Sequence, residues 1–216
     1  MDHVEAAVRE TMSGVGTILF VPWALNDLDA YTRTVRTRLE KMDFQVSGIH
    51  EHDDPVAAVA EAEAMFIGGG NTFRLLTRLF ESGVIDTIRE RVSMGMPYMG
   101  SSAGSNAACP TIKTTNDMPI VQPPSFEALN LVPFQINPHY LDPDPDSKHK
   151  GETREDRIRE YHEMNDTPVV GLREGAWMRI EGDAFRLEGH KGARLFRRNA
   201  EPEEFAPGAS LDFLGG

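Results

Sequence analysis

Cysteine is nearly absent: Cys109 is the only one in 216 residues. That excludes an internal disulfide framework and makes a reducing cytoplasm the simplest home. Basic residues are also in short supply, with 22 Lys and Arg against 34 Asp and Glu and a formal net charge of −12. Nucleic acid and anionic membranes both need a basic face, so this balance argues against either as a partner. It has a second consequence. An acidic ligand is repelled at long range, so a site that accepts one needs a local Arg or Lys. No apolar run approaches the roughly 20 residues of a membrane span. The N-terminus, Met1-Asp2-His3-Val4-Glu5, lacks the basic start and apolar stretch of a secretory signal. No His or Cys cluster has metal-ligand spacing, so neither a metal nor a cofactor is implied. There is no internal repeat and no linker. With 40% apolar residues the chain can bury one sizeable core, and we expect a single domain over residues 1–216.

What is present is an alternation of strands and helices. A short helix over 2–12 is broken by Gly14-Val15-Gly16. Residues 17–22 (Thr-Ile-Leu-Phe-Val-Pro) form a continuous apolar run, as in a buried parallel strand. A helix is predicted over 27–42, where Leu28, Tyr31, Val35, Leu39 and Met42 make one apolar stripe. A strand follows over 44–50. Asp54 is a helix N-cap with Pro55 at the first helical position, and 64–67 is a third buried strand. Two more helices are expected over 73–81 and 85–94. This pattern predicts an α/β fold with a doubly wound, mainly parallel sheet, which binds ligands beyond the carboxyl ends of its strands. Residues 110–152 are rich in Pro, Asn, Asp and Thr, and a loop of that length is functional or disordered. Within it, 143–146 (Pro-Asp-Pro-Asp) reads as an exposed tip and 135–137 as a short strand. A helix over 153–164, a strand over 168–172, a hairpin around Gly182-Asp183 and a strand over 193–197 complete the pattern.

The chemistry centres on Tyr98-Met99-Gly100-Ser101-Ser102-Ala103-Gly104-Ser105-Asn106. An apolar run ends in Gly-x-Ser-x-Gly, and a helix is expected over 105–109. That is the pattern of a nucleophile elbow, in which a strained turn lifts a serine hydroxyl beside free backbone N–H groups. The same residues also serve as an ordinary small-residue turn. A serine nucleophile needs a base, and the base needs an orienting group. Of the seven histidines, His139 in Asn137-Pro138-His139-Tyr140 follows a short apolar run, where a strand end would carry it. His149, His162 and His190 sit in charged surroundings that read as solvated. Asp117 stands against the apolar Met118-Pro119-Ile120-Val121, a costly place for an unpaired carboxylate. A turn-forming Asn-Asp before a proline explains it equally well. Asp142, Asp144 and Asp146 read as solvated.

The Gly68-Gly69-Gly70-Asn71 turn lacks the spacing of a phosphate loop. It suits a backbone oxyanion donor, to accompany the N–H of Ala103, or a plain strand-to-helix turn. Arg154 opens a helix, where a cation opposes the macrodipole unless an anion meets both. Its planar guanidinium suits a carboxylate. Cys109 reads as core packing.

Six ordered segments resemble the peptidase E family of aspartyl dipeptidases. They are 66–73 (Phe-Ile-Gly-Gly-Gly-Asn-Thr-Phe), 100–106 (Gly-Ser-Ser-Ala-Gly-Ser-Asn), 108–112 (Ala-Cys-Pro-Thr-Ile), 114–121 (Thr-Thr-Asn-Asp-Met-Pro-Ile-Val), 135–139 (Gln-Ile-Asn-Pro-His) and 149–154 (His-Lys-Gly-Glu-Thr-Arg). The resemblance implies a class I glutamine-amidotransferase-like, flavodoxin-like three-layer fold, with serine in place of the amidotransferase cysteine. It implies hydrolysis of dipeptides that carry an N-terminal aspartate. Ser102 would be the nucleophile, His139 the base and Asp117 its orienting carboxylate. Gly70 and Ala103 would form the oxyanion hole, and Arg154 would bind the aspartyl side chain. The last role supplies the local positive charge that the net −12 requires. Members of the family open on an apolar strand, whereas this chain opens on a helix: either the start is misassigned, or this branch lacks that strand, or another element substitutes for it. A homodimer stays open as a partner. Two other functions remain beside the dipeptidase: a cyanophycinase-like peptidase acting on aspartate polymers, and a non-catalytic ligand-binding relative. An α/β-hydrolase esterase shares the elbow, but only 15 residues separate Ser102 from Asp117 and 37 separate it from His139. That is too few for the strands that fold inserts.

Overall fold

The computed structural model describes residues 4–143 and 151–215. The chain forms two compact units, one of Met1–Ile112 with Asp117–Leu131 and one of Lys113–Asn116 with Val132–Gly216.

In the first unit, β1 (Thr17–Val21), β2 (Gln45–Gly48), β3 (Ala64–Ile67) and β4 (Tyr98–Gly100) make a parallel sheet in the order β2-β1-β3-β4. Side chains alternate across a strand, so an all-apolar strand needs a layer on each face. Both layers are present. Ile18, Phe20, Ala64 and Phe66 pack against Val8 of α1 (Glu5–Thr11) and Val35 and Leu39 of α2 (Leu28–Leu39). Leu19, Val21, Met65 and Ile67 face the other way, under α3 (Pro55–Glu61), α4 (Thr72–Glu81), α5 (Ile85–Ser93) and α6 (Ala103–Ala108). This is the doubly wound, three-layer arrangement the sequence predicts. The chain leaves β1 for β2 on one side and returns to β3 on the other. That reversal opens a crevice at the carboxyl ends of β1 and β3.

Several boundaries differ from expectation for local reasons. The helix predicted over 27–42 stops at Leu39. A 3-10 turn, Glu40–Met42, follows and closes on Asp43 at φ +68°. The strand predicted over 44–50 ends at Gly48. There the Glu51 carboxylate accepts the Gly48 N–H at 2.8 Å and the Arg36 guanidinium at 2.8 and 2.9 Å, folding the chain into a 3-10 turn. Asp54 caps α3 as expected, accepting from Val56 N and Ala57 N.

The second unit holds β5 (Gln135–Pro138), β6 (Val169–Leu172), β9 (Ala193–Phe196) and β10 (Glu203–Phe205) in the order β10-β9-β6-β5, with β5 and β6 parallel. The expected hairpin is β7 (Ala176–Glu181) with β8 (Ala184–Gly189). α7 (Arg154–Met164) crosses between β5 and β6, and its Ile158 packs with Tyr140, Val169 and Phe196. β10 escapes the sequence reading because it is three residues long and begins with two exposed glutamates. His162 is not solvated: it is 7% exposed on the inner face of α7. Asp142 is also bound, with Arg173 at 2.6 Å. The tip at 144–146 and the run 148–150 lie outside the described residues. Outside β5 the stretch 110–143 is irregular, and Arg89 ties part of it down by donating to the carbonyls of Ala128 and Leu129 at 2.7 and 3.1 Å. Among the described residues, no helix is long and apolar enough to cross a membrane.

Candidate active site

The loop after β4 carries Ser102 at φ +52°, ψ −106°. This is a region that residues with a Cβ rarely occupy, at a cost of about 1–3 kcal/mol. The glycines around it are fixed by space. A Cβ on Gly104 would stand 2.2 Å from the Ile67 carbonyl oxygen, and one on Gly100 would stand 2.6 Å from the Gly104 oxygen. The elbow expected from the sequence is therefore present, although its helix starts at Ala103 rather than 105. Ser102 occupies the N-cap position of α6, where a serine oxygen normally accepts a backbone N–H. It makes no such bond, and Ser102 Oγ has no partner among the described residues. A Cβ on Gly69 would stand 3.1 Å from Ser102 Cβ and 3.8 Å from its Oγ, so the glycine turn after β3 lies against Ser102.

Backbone hydrogen bonds in that turn can be accounted for one by one. Gly68 N–H donates to Val21 O at 3.1 Å, Gly69 N–H to the Tyr31 hydroxyl at 2.8 Å, and Asn71 N–H to Ala24 O at 2.9 Å. Thr72 N–H donates to Asp117 Oδ2 at 2.7 Å. Gly70 N–H alone in this run has no acceptor among the described residues, and the Ala103 N–H at the elbow likewise has none. Gly70 sits at φ +135°, and a Cβ there would strike Ala24 O at 2.6 Å, so only glycine fits. A free hydroxyl, the N–H of the residue that follows it and a free N–H in the adjoining glycine turn are groups of the kind that attack a carbonyl carbon and hold its oxyanion.

Asp117 is built into the same turn. Its Oδ2 accepts from Thr72 N and from Thr72 Oγ1 at 2.6 Å, and Asn71 Nδ2 donates to Met118 O at 2.8 Å. The first unit thus brings Ser102, Gly70, Ala103 and Asp117 onto neighbouring loops.

The second unit carries His139 and Arg154. His139 follows β5 at φ +54°, between Pro138 and the buried Tyr140. Asn116 Nδ2 holds the Pro138 carbonyl at 2.9 Å, and Tyr140 N–H donates to Leu172 O at 2.9 Å, so the backbone on both sides is fixed. The described partner of the imidazole is a residue that sequence reasoning missed: His139 Nδ1 lies 2.6 Å from Glu174 Oε2. Glu174 sits in the β6–β7 turn before Gly175, which has φ +87°. Nothing but that Glu-Gly turn distinguishes it among 34 acidic residues. Arg154 is the first residue of α7. Thr153 and Asp156 form a capping box there, and Arg194 holds Glu155 at 2.9 Å. Among the described residues, no three His, Cys, Asp or Glu side chains converge as metal ligands would.

The model of peptidase family S51 matches residues 1–188. The chain belongs to peptidase family S51. Its sequence is 54% identical over 214 residues to "Peptidase E" of Streptomyces coelicolor, covering 99% of this chain and 88% of that one. It is 53% identical over 217 residues to the "Probable alpha-aspartyl dipeptidase" of Drosophila melanogaster, covering 99% and 90%. Among solved structures, it resembles a putative peptidase E from Listeria monocytogenes EGD-e with TM-score 0.63 and 22% identity, covering 94% and 93%. A peptidase from an acI-B1 actinobacterium superposes with TM-score 0.75 at 15% identity, covering 98% and 91%. These two likenesses establish the fold, and the family makes this S51 chain a peptide hydrolase of the serine type.

Proposed function

We propose that this S51 peptidase hydrolyses dipeptides with an N-terminal aspartate through an acyl-enzyme on Ser102. One observation carries the reading: Ser102 is held at φ +52° with its hydroxyl unbonded, against a glycine turn whose Gly70 N–H is also unbonded. Ser102 Oγ attacks the scissile carbonyl while His139 takes its proton. The N–H groups of Gly70 and Ala103 hold the oxyanion. His139 then protonates the leaving amine. Water, deprotonated by the same imidazole, cleaves the ester and frees aspartate. Glu174 accepts the Nδ1 hydrogen bond and stabilises the imidazolium. Asp117 stays in the proposal as the carboxylate beside the nucleophile, with its observed hold on Thr72.

Arg154 is the proposed receptor for the aspartyl side chain. Two facts support it: the aspartyl dipeptidase name of the Drosophila relative at 53% identity, and the need for a local cation in a chain of net charge −12. The proposal treats residues 1–216 as one functional domain and a reducing cytoplasm as its compartment, in keeping with a single cysteine that is buried. The test is release of p-nitroaniline from Asp-p-nitroanilide by the wild type and by Ser102→Ala. Turnover that Ser102→Ala abolishes is expected. A wild type inert toward this substrate and toward Asp-Leu removes the dipeptidase reading, and activity that survives Ser102→Ala removes the mechanism.

A further inference from the structure

The glycine turn after β3 is held by a side chain from a different layer. Tyr31 lies on α2, half-buried and packed against the core on that face of the sheet, with its ring edge-on to Phe20 at 5.0 Å between centroids. Its hydroxyl reaches over the carboxyl end of the sheet and accepts the Gly69 N–H at 2.8 Å. The fit is close: a Cβ on Gly68 would stand 2.6 Å from the hydroxyl and 2.8 Å from the ring. Tyrosine at position 31, placed in this way, therefore requires glycine at position 68.

We propose that Tyr31 is a positioning residue for the peptidase reaction, holding the Gly68–Gly70 turn in the one arrangement that leaves Gly70 N–H free beside Ser102. Gly69 is the residue that touches Ser102, and Gly70 follows it. Glycines at 68, 69 and 70 give this backbone more freedom than any other sequence would, so its geometry must come from outside the turn. On the Gly70 side Asn71 and Thr72 are held by Ala24 and Asp117. On the strand side Gly68 N–H is held by Val21 O, and the tyrosine is the next hold, on Gly69 itself. Without its hydroxyl, the Gly69 peptide can rotate, and rotation of one peptide redirects the next N–H. Burial raises the Tyr31 phenol above its usual value, so it stays neutral across the working range and keeps its accepting lone pairs. Tyr31 is half-buried and lines a surface recess with Leu25, Asp27, Ala30 and Thr34.

The inference rests on the reading of Ser102 and Gly70 given above. Its test therefore combines Tyr31→Phe with Ser102→Ala. The measurements are kcat and KM on Asp-p-nitroanilide, thermal midpoint, and inhibition by the α-aldehyde of aspartate. That aldehyde adds Ser102 Oγ to its carbonyl carbon, and the resulting oxygen occupies the oxyanion position. For Tyr31→Phe, kcat should fall about 10-fold or more, short of the roughly 100-fold or greater loss that removing an oxyanion donor outright produces. KM should stay within about twofold of the wild type, and the inhibition constant of the aldehyde should rise by the same factor as kcat/KM falls. Tyr31→Phe with wild-type kcat overturns the proposal. So does a fall in kcat with unchanged affinity for the aldehyde, because a general structural loss would do that. If the wild type is inactive, or Ser102→Ala stays active, the peptidase reading itself fails and takes this inference with it.

Discussion

Nδ1 of His139 stands 2.6 Å from Oε2 of Glu174, and both side chains are well exposed, at 55% and 78%. An exposed pair of this kind contributes only about 0–1 kcal/mol to folding, so its contact has little stabilising value of its own. Orientation of the imidazole is a better account. Glu174→Gln is expected to lower kcat by up to about 100-fold, the low end of what acid–base assistance contributes, with the thermal midpoint nearly unmoved. Asp117→Asn should behave differently, because Asp117 anchors Thr72 by two hydrogen bonds. It should lower the thermal midpoint as well as kcat. Steady-state kinetics and thermal melts on the two variants decide the matter. A Glu174→Gln enzyme with wild-type kcat would remove Glu174 from the mechanism and leave the orienting role to Asp117.

Arg154 opens α7, whose first turn is anchored through Glu155 to Arg194 and Arg159. If it receives the substrate carboxylate, Arg154→Ala should raise KM for Asp-p-nitroanilide about 10-fold or more, as loss of a charge-assisted hydrogen bond implies. Arg154→Lys should recover only part of that loss, because an ammonium cannot grip a carboxylate with two parallel bonds. Unchanged KM in both variants would make Arg154 a surface charge.

Gly104 is the point where α6 lies closest to β3. Alanine there would drive a methyl group to 2.2 Å from the Ile67 carbonyl oxygen, and backbone on both sides leaves no room to yield. Gly104→Ala should cost about 3 kcal/mol or more, at the upper end of overpacking, as read by urea unfolding. A cost below about 1 kcal/mol would show that α6 can shift outward.

The sequence carried the first unit well because its signals are local. Continuous apolar runs at 17–21 and 64–67 mark strands covered on both faces, and Asp54-Pro55 marks a helix start. Gly-Ser-Ser-Ala-Gly marked the strained turn at Ser102, the proposed nucleophile, for the same reason: that strain demands small neighbours within two residues. The partners of the site were less visible. Tyr31 reads as one member of an apolar stripe, and only the fold reveals that its hydroxyl leaves that stripe to meet Gly69, 38 residues away. Glu174 is 35 residues from His139, and no periodicity selects it. His162 looked solvated because its neighbours on α7 are charged, yet it is on the face that α7 buries.

Arg173 grips Asp142 with two hydrogen bonds, at 2.6 and 2.8 Å, and also reaches Glu204 at 2.9 Å. The hydrogen bonds from Arg173 hold the Asp142 carboxyl below its usual value. A carboxylate whose pKa is depressed on folding stabilises the protein above its unfolded value, about 3.9, and that contribution is lost as pH falls through the folded value. Comparing the thermal midpoints of wild type and Asp142→Asn across pH 2–7 should show a gap that is constant above about pH 5. The gap should narrow steadily below pH 4. A gap that widens in acid would contradict the pairing.

Ser102 is strained in a way that the proposed reaction, and no packing contact, accounts for. At φ +52° and ψ −106° any Cβ is penalised, so serine and alanine pay alike, while glycine does not. Relief of about 1–3 kcal/mol of strain is opposed by the roughly 0.4–1 kcal/mol that glycine loses through a freer unfolded chain. The net gain should be near 1 kcal/mol, or about 2–4 °C for a chain of this size. Ser102→Gly should therefore melt higher than both the wild type and Ser102→Ala, and all activity should be gone from both variants. Ser102→Ala controls for loss of the hydroxyl, since it keeps the Cβ and hence the strain. If Ser102→Gly melts below Ser102→Ala, the turn is not strained by its side chain. The hydroxyl's exposed position would then need a source other than backbone geometry imposed by Gly100, Gly104 and the Ile67 carbonyl.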